Sequence, residues 1–211
     1  MTSPAGRPAV RREVRRFGRR ALLVEVGGPS DVLRLRATVD AAGVATETVP
    51  GWSTLLVRTA GDPAQVVDWL ASVEVDEVEA VATGEAVVVE VAYDGPDLDD
   101  VAALVGTTVD EVVALHTRPD YVVVMLGFSR GFPYLAGLDP ALTGLSRLAT
   151  PRTRVPAGSV GIALDQTGIY PLASPGGWRL LGRTDTALFD PTAFPPSPLR
   201  PGARVRFEAV G

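Results

Sequence analysis

The sequence YVVVMLGFSRGFPYLAGLD at residues 121–139 joins an unbroken apolar run to a stretch rich in glycine and turns. Every residue of YVVVML (121–126) is apolar, which is typical of a strand that is buried on both faces. The glycines and the proline that follow are typical of tight turns between short strands. This stretch therefore predicts a strand inside a sheet or barrel, with turn-rich β structure after it.

Glycine and proline divide the chain at the same point. Residues 1–126 contain 17 of them, whereas residues 127–211 contain 23. The second part is expected to form short strands, at 158–164, 167–172, 177–182 and 204–210. With a strand at 85–93 and two short helices ahead of them, these strands predict a closed β-barrel over residues 84–211.

Short sequence signals mark the starts of the two helices in this part. Asp97 follows the turn Asp94-Gly95-Pro96 and is predicted to cap the first helix. Thr108 and Glu111 have the spacing of a capping box, which predicts the start of the second helix. That helix is expected to end near His116.

Strands and helices alternate in residues 17–83. The pattern predicts a strand at 21–26, a helix closed by Gly43, two strands at 46–50 and 54–59, and a helix that starts at Asp62. A last strand at 76–82 would complete the order β-α-β-β-α-β. The whole chain is thus predicted to be α+β, with a small ferredoxin-like (split βαβ) domain before the barrel.

The chain begins with many arginines. Residues 1–20 hold seven arginines against one glutamate. Such a run favours either a tail or an arm that binds nucleic acid, and residues 1–16 are predicted to be a tail. The net charge of −5 gives no general case for nucleic-acid binding.

The composition excludes several kinds of chemistry. There is no cysteine, only one histidine, and all 20 basic residues are arginine, so thiol catalysis, a multi-histidine zinc centre and a lysine-dependent phosphate loop are excluded. No metal site is expected. The apolar runs are too short to span a membrane and the start lacks the pattern of a secretory signal, which together favour a cytoplasmic protein.

The motifs of the second part follow one another in a distinctive order. They are GFSRGFPYLAGLD (127–139), PRTRVPAGSVGIA (151–163), QTGIYP (166–171), SPGGW (174–178) and LGRTDTALFD (181–190). DGPDL (94–98) and LHT (115–117) precede them. In this order and spacing, the motifs closely resemble the family of allophanate hydrolase subunit 1, which is also called the KipI or PxpB family.

The resemblance implies an architecture, a partner and one of three roles. The architecture is a small α/β domain followed by a cyclophilin-like β-barrel, and the partner is a homologue of allophanate hydrolase subunit 2 (PxpC). The preferred role is the B subunit of a prokaryotic 5-oxoprolinase, which cleaves 5-oxo-L-proline to L-glutamate with ATP, together with a LamB/YcsF-type subunit (PxpA). The alternatives are a histidine-kinase inhibitor and an allophanate hydrolase or urea carboxyltransferase subunit. Since the chain lacks nucleotide motifs, ATP is expected at a composite site of the complex.

One residue departs from the family pattern. Arg130 stands where the family usually has proline in the GF-x-PGF motif. The change removes a rigid residue and adds a cation, so Arg130 is a candidate for binding an anionic part of the substrate.

Three residues are candidates for catalysis. His116 is the only side chain whose ordinary pKa lies near neutrality, so it is the candidate acid or base; the alternative is a structural residue at a helix end. Ser159 follows Gly158 in a turn whose backbone N–H groups could bind an oxyanion. The alternative is that this segment is only a tight turn leading into a strand. Gln166 offers an amide that matches an amide substrate, or belongs to a polar ladder at the barrel edge.

Three further residues are candidates for substrate binding. By strand alternation, Tyr170 is expected to share a face with Gln166. Trp178 is expected to stack on a planar substrate or to contact the partner, or else to belong to the core. Arg152 is expected to bind a carboxylate or phosphate, or to form a structural ion pair.

Overall fold

The structure is a computed structural model of the chain, and it describes residues 12–75 and 83–211. The described residues form two compact units, 12–75 and 83–211. None of the helices in the described ranges has the length and apolar character needed to cross a bilayer.

In residues 12–75, the first unit is a four-stranded antiparallel sheet with two helices. Its elements are β1 (Val14–Arg16), β2 (Ala21–Glu25), α1 (Pro29–Ala42), β3 (Glu47–Pro50), β4 (Thr54–Arg58) and α2 (Ala64–Ser72). The strand order is β1-β2-β4-β3. Gly43 ends α1 in the left-handed conformation, at φ 65°, as the sequence predicts. Asp62 supports the start of α2, because its Oδ1 accepts the backbone N–H of Ala64 at 3.0 Å.

The edge of this sheet differs from the expected arginine-rich tail. Residues 14–16 form β1 and pair with β2 instead of extending freely. The strand is favoured because Val14 packs against the core of the unit while Arg15 contacts Glu25 on the exposed side. The expected strand at 76–82 lies outside the described residues, so the complete ferredoxin-like order stays a prediction.

The second unit is built around a closed barrel of seven strands, in the order β10-β7-β6-β13-β5-β12-β9. Its first half contains β5 (Thr83–Ala92), α3 (Leu98–Val105), α4 (Val109–Thr117), β6 (Tyr121–Leu126), β7 (Pro133–Ala136) and a 3-10 turn (Pro140–Leu142). Its second half contains β8 (Arg152–Val155), β9 (Ser159–Ala163), β10 (Gln166–Ile169), β11 (Ser174–Gly176), β12 (Arg179–Arg183) and β13 (Ala203–Val210). The closed barrel that glycine and proline predicted is therefore present, although its cyclophilin-like character stays a prediction.

Side-chain alternation separates the two faces of the barrel wall. Leu135, Ile162 and Leu181 belong to the main core, which also includes residues of α3 and α4. Their chain neighbours Tyr134, Ala163 and Leu180 belong to a different cluster. Since successive residues of a strand point to opposite faces, this second cluster lies on the outer face of the wall. The ribbon formed by β8 and β11 pairs separately from the barrel and contributes Val155 to the same outer cluster.

Candidate functional site

An aromatic cluster occupies the outer face of the barrel wall. Phe132, Tyr134, Tyr170 and Trp178 meet mostly edge to face, with ring centroids 5.0–5.7 Å apart. These residues come from the family motifs GFSRGFPYLAGLD, QTGIYP and SPGGW, which are separated in sequence but meet here. The aromatic cluster is therefore the place where the motifs converge, and we take it as the candidate functional site.

Glycine in β10 makes room for these rings. A Cβ at Gly168 would lie 2.8 Å from the carbonyl oxygen of Pro133 and 3.0 Å from ring atoms of both Phe132 and Trp178. Any larger residue would push the rings away from the strand. The glycine of QTGIYP is thus explained by the approach of the aromatic rings to the sheet.

The hydroxyl group of Tyr170 is held inside the SPGGW segment. The backbone N–H of Trp178 favours its ionised form, and a Cβ at Gly176 would lie 2.3 Å from its oxygen. Burial raises the pKa of Tyr170 above its ordinary value, and the N–H of Trp178 opposes that change. The phenol therefore keeps its proton at neutral pH and can act as a hydrogen-bond donor.

The loop before β7 carries an exposed ring in a strained conformation. Phe128 has φ 61° and is 62% exposed, yet its ring contacts those of Phe132 and Tyr170 at centroid distances of 5.5 and 6.3 Å. A left-handed conformation costs a residue with a side chain about 1–2 kcal/mol. Next to it, the Oγ of Ser129 is buried and has no hydrogen-bond partner among the described residues. Strain and an unsatisfied hydroxyl together are typical of a functional loop.

Two arginines flank the aromatic cluster, and they differ in their partners. Arg152 pairs with the buried Asp97 through Nη2 and Oδ1 at 2.6 Å, and the other oxygen of Asp97 accepts the N–H of Leu180 at 2.7 Å. Arg147 is exposed and has no side-chain hydrogen bond or ion pair to the described chain. Its charge counteracts the burial that raises the pKa of Tyr134 and of Tyr170.

The surroundings of Arg152 and Trp178 bear on the substrate-binding roles predicted for them. Arg152 is committed to a structural ion pair, and Trp178 is a core residue with 4% of its surface exposed. Both placements favour the structural alternative, and the substrate-binding roles of Arg152 and Trp178 stay predictions. The sequence does not predict a role for Arg147, because this residue lies outside the family motifs. Only folding of the chain brings it close to Tyr134 and Tyr170.

His116, the candidate acid or base, lies inside the second unit and is completely buried. Its Nε2 lies 2.9 Å from the Oγ1 of Thr167, and its Nδ1 lies 2.7 Å from the hydroxyl of Tyr93. Thr167 donates its own proton to the carbonyl of Gly161, so it must accept from Nε2–H. Nδ1 is then left to accept from Tyr93.

A neutral imidazole satisfies this whole chain of hydrogen bonds. Burial lowers the pKa of His116 from 6.5 to about 3, in the direction opposite to that expected for a histidine at a helix end. The desolvation of a fully enclosed ring therefore outweighs the attraction of the helix terminus. The structure supports the structural alternative for His116.

The other candidates lie on or near the same wall. Gln166 begins β10 and is buried; alternation places it on the face of Gly168, as expected for a residue that shares a face with Tyr170. Ser159 begins β9, is also buried, and its carbonyl accepts the N–H of Tyr170 at 2.9 Å. Arg130 is exposed on the same loop as Phe128. Catalytic roles for Ser159 and Gln166 and a binding role for Arg130 stay predictions.

A separate cleft of about 330 Å³ lies beside the last motif. Its lining includes Glu90, Arg183, Asp185, Thr184 and Thr186. Arg183 is paired with Asp94 at 2.8 Å, and the other charged residues of the lining, Glu90 and Asp185, are both acidic.

The chain is similar to known proteins over almost its whole length. Residues 12–199 match the family model for the carboxyltransferase domain, subdomain C and D. The protein therefore belongs to this carboxyltransferase-domain family, which confirms the family resemblance in the motifs.

Relatives within the family have a more specific name. The 5-oxoprolinase B subunit of Escherichia coli O157:H7 is 56% identical over 113 residues, which are 54% of this chain and 51% of the relative. Two further bacterial proteins of that name match over a similar share. The chain thus spans about half the length of the curated relatives that it matches.

Solved structures agree with the fold. The crystal structure of TTHA0988 has a TM-score of 0.75 and 38% identity, and the similarity covers 91% of this chain but only 40% of that chain. The urea carboxylase of Kluyveromyces lactis has a TM-score of 0.68 at 21% identity, covering 95% of this chain and 22% of the enzyme. That second similarity concerns the fold alone.

Proposed function

We propose that this chain is the B subunit of a prokaryotic ATP-dependent 5-oxoprolinase, which opens the lactam of 5-oxo-L-proline to give L-glutamate. The observation that carries the proposal is the identity of 48–56% with proteins named as the B subunit of 5-oxoprolinase, over about half of this chain. A lactam is a poor electrophile, and transfer of the terminal phosphoryl group of ATP to its oxygen, with release of ADP, would let water attack the ring carbon. The ring C–N bond then breaks to give the amine and an acyl phosphate, which a second water hydrolyses to the carboxylate and phosphate.

In this proposal the chain is not a complete catalyst. Its only histidine is enclosed and neutral at physiological pH, and Asp97, a carboxylate that contacts Arg152 beside the cluster, is occupied by that ion pair. General acid–base catalysis needs a group that can exchange protons near neutral pH. That group would therefore come from a partner, a homologue of subunit 2 (PxpC) or a LamB/YcsF-type subunit.

The contribution of this chain would be to bind the substrate. 5-Oxo-L-proline has one carboxylate and a small ring with an amide. Arg147 is a guanidinium with free donors beside two protonated phenols, and it suits a carboxylate. Phe128 and Arg130 would close the other side. The ATP that reacts with the substrate would bind at a composite site of the complex, because this chain supplies neither a lysine nor a phosphate loop to place its terminal phosphate at the aromatic cluster.

A substrate panel on the co-purified complex tests this function against its rivals. The chain would be co-expressed with its subunit 2 homologue and the third subunit, and supplied with ATP and either 5-oxo-L-proline, allophanate or urea. We expect glutamate to form from 5-oxo-L-proline, in step with ADP release. Turnover of allophanate or carboxylation of urea, without glutamate formation, would assign the chain to the alternative carboxyltransferase or allophanate role.

A further inference from the structure

Two clefts on the first unit share an arginine pair. The larger, of about 780 Å³, is lined by Arg16, Arg19, Arg20 and residues 60–62. The smaller, of about 410 Å³, shares Arg19, Arg20 and Ala60 and adds the aromatic ring of Phe17. Both clefts therefore open at the turn that joins β1 to β2.

Arg19 and Arg20 are uncompensated within the described part of the chain. Arg16 contacts Asp62, and Arg58, which lines the smaller cleft, pairs with Glu47 at 3.3 Å. The side chains of Arg19 and Arg20 are exposed and have no hydrogen bond or ion pair to residues 12–75 or 83–211. Two full positive charges thus stand side by side in a protein whose net charge is −5.

The backbone holds this pair in a fixed place. The N–H of Phe17 donates to the carbonyl of Ala21 at 2.8 Å, and the N–H of Thr59 donates to the carbonyl of Arg20 at 2.9 Å. Gly18 supplies the left-handed turn, with φ 76°. Phe17 is 59% exposed on the same turn, so an apolar ring stands beside the two guanidinium groups.

We propose that this turn, residues 17–20 with Arg58 and Ala60, binds the phosphate chain of a small molecule, and that a nucleoside triphosphate is the fuller fit. A guanidinium group binds phosphate oxygens through a pair of hydrogen bonds, and the clefts offer two such groups, those of Arg19 and Arg20. An aromatic ring beside them offers a stacking surface for a base, which inorganic phosphate would not use. The site lies in the first unit and does not depend on the proposed function of the barrel.

Calorimetric titration of the full chain with ATP and with tripolyphosphate tests the inference. We expect both to bind at low salt, and Arg19→Ala/Arg20→Ala to weaken both at least about tenfold, because each charged hydrogen bond contributes strongly. Arg154→Ala/Arg200→Ala removes the same charge from exposed, unpaired arginines of the other unit and should leave binding unchanged. Equal loss in both double variants, or no binding by the unaltered chain, would overturn the proposal.

Two further variants make the test specific. Phe17→Ala should weaken ATP but not tripolyphosphate if a base stacks on the ring, whereas equal effects on both would identify free phosphate as the source. Arg19→Lys/Arg20→Lys keeps the two positive charges but removes the guanidinium groups. Its affinity for both ligands should lie between that of the unaltered chain and that of the alanine variant. This lysine variant replaces the alanine variant in the test if the latter is unstable. Binding confined to a single-stranded oligonucleotide would overturn the small-molecule assignment.

Discussion

The Nε2 of His116 lies 2.9 Å from the Oγ1 of Thr167, a residue 51 positions later in the sequence. The bond joins the end of α4 to β10 inside the second unit, and it continues through Thr167 to the carbonyl of Gly161 on β9. The only histidine thus links a helix to two neighbouring barrel strands, which favours a structural role for it.

Replacing His116 should therefore lower stability and leave chemistry almost unchanged. His116→Ala removes a buried ring, leaves the hydroxyl of Tyr93 without its acceptor and takes away the N–H that Thr167 accepts, so the free energy of unfolding should fall by about 2–4 kcal/mol. The kcat of the folded complex should change less than about threefold. Denaturant unfolding and steady-state kinetics on the reconstituted complex measure both. A loss of about 10²–10⁴-fold in kcat with unchanged stability would restore the role of acid or base.

The same residue should make stability depend on pH. Burial lowers the pKa of His116 from 6.5 to about 3. Between these two pH values the histidine is protonated in the unfolded chain but neutral in the folded chain. The stabilising contribution of the neutral ring is complete above pH 6.5 and is lost as the pH falls toward 3. The free energy of unfolding should drop by about 1.4 kcal/mol per pH unit in that interval. The control is His116→Gln, whose unfolding curve should lack this component while retaining that of the carboxylates.

A methyl group on Gly168 should disturb the aromatic cluster. Gly168→Ala would place its Cβ 2.8 Å from the Pro133 carbonyl oxygen, and overpacking of this kind costs about 1–3 kcal/mol. Gly177→Ala is the matched control, because its Cβ would make only ordinary contacts, the nearest at 3.6 Å to Pro151. Thermal melts of the two variants test the difference. Equal melting temperatures would mean that the rings do not rest on β10.

The two arginine–aspartate pairs at the DGPDL segment should differ in energy. Asp97→Ala leaves the half-buried Arg152 without its carboxylate and Leu180 N–H without its acceptor, and should cost about 2–4 kcal/mol. Asp94→Ala breaks the exposed pair with Arg183 and should leave the stability almost unchanged, because solvent screens this pair. Denaturant unfolding measures both. If Asp97→Ala were as mild as Asp94→Ala, Arg152 would be free to serve the substrate.

Arg147 is the residue proposed to bind the carboxylate of the substrate. In the complex, Arg147→Ala should raise the KM for 5-oxo-L-proline about tenfold or more with little change in kcat, as expected for the loss of a carboxylate contact. Arg200→Ala, an exposed arginine outside the aromatic cluster, is the control. Arg130→Pro restores the usual family motif and should raise KM only if Arg130 also contacts the substrate. An unchanged KM for Arg147→Ala would mean that Arg147 does not bind the substrate.

Local signals predicted much of this fold. The apolar run YVVVML became β6, the density of glycine and proline indicated the barrel, and Thr108 accepts the N–H of Glu111 at 3.2 Å as its capping box required. These features depend on residues a few positions apart, so they can be recognised without the folded chain.

The roles of the site residues depend on distant contacts, and the sequence could not provide them. Asp97 follows a turn and precedes a helix, but its partner Arg152 lies 55 residues away. His116 ends a helix, yet barrel closure encloses it and reverses the expected direction of its pKa. The strand at 14–16 was not predicted, because its arginines suggested a tail. The carboxylates that compensate these arginines, Glu25 and Asp62, lie later in the chain.

The most direct test of the central claim is an omission experiment. ATP-dependent conversion of 5-oxo-L-proline to glutamate would be measured with all the subunits together, with each left out in turn, and with this chain alone. We predict turnover only in the full mixture, and its loss when this chain is omitted. Sustained turnover by this chain alone, or undiminished turnover without it, would contradict its assignment as a necessary but incomplete part of the enzyme.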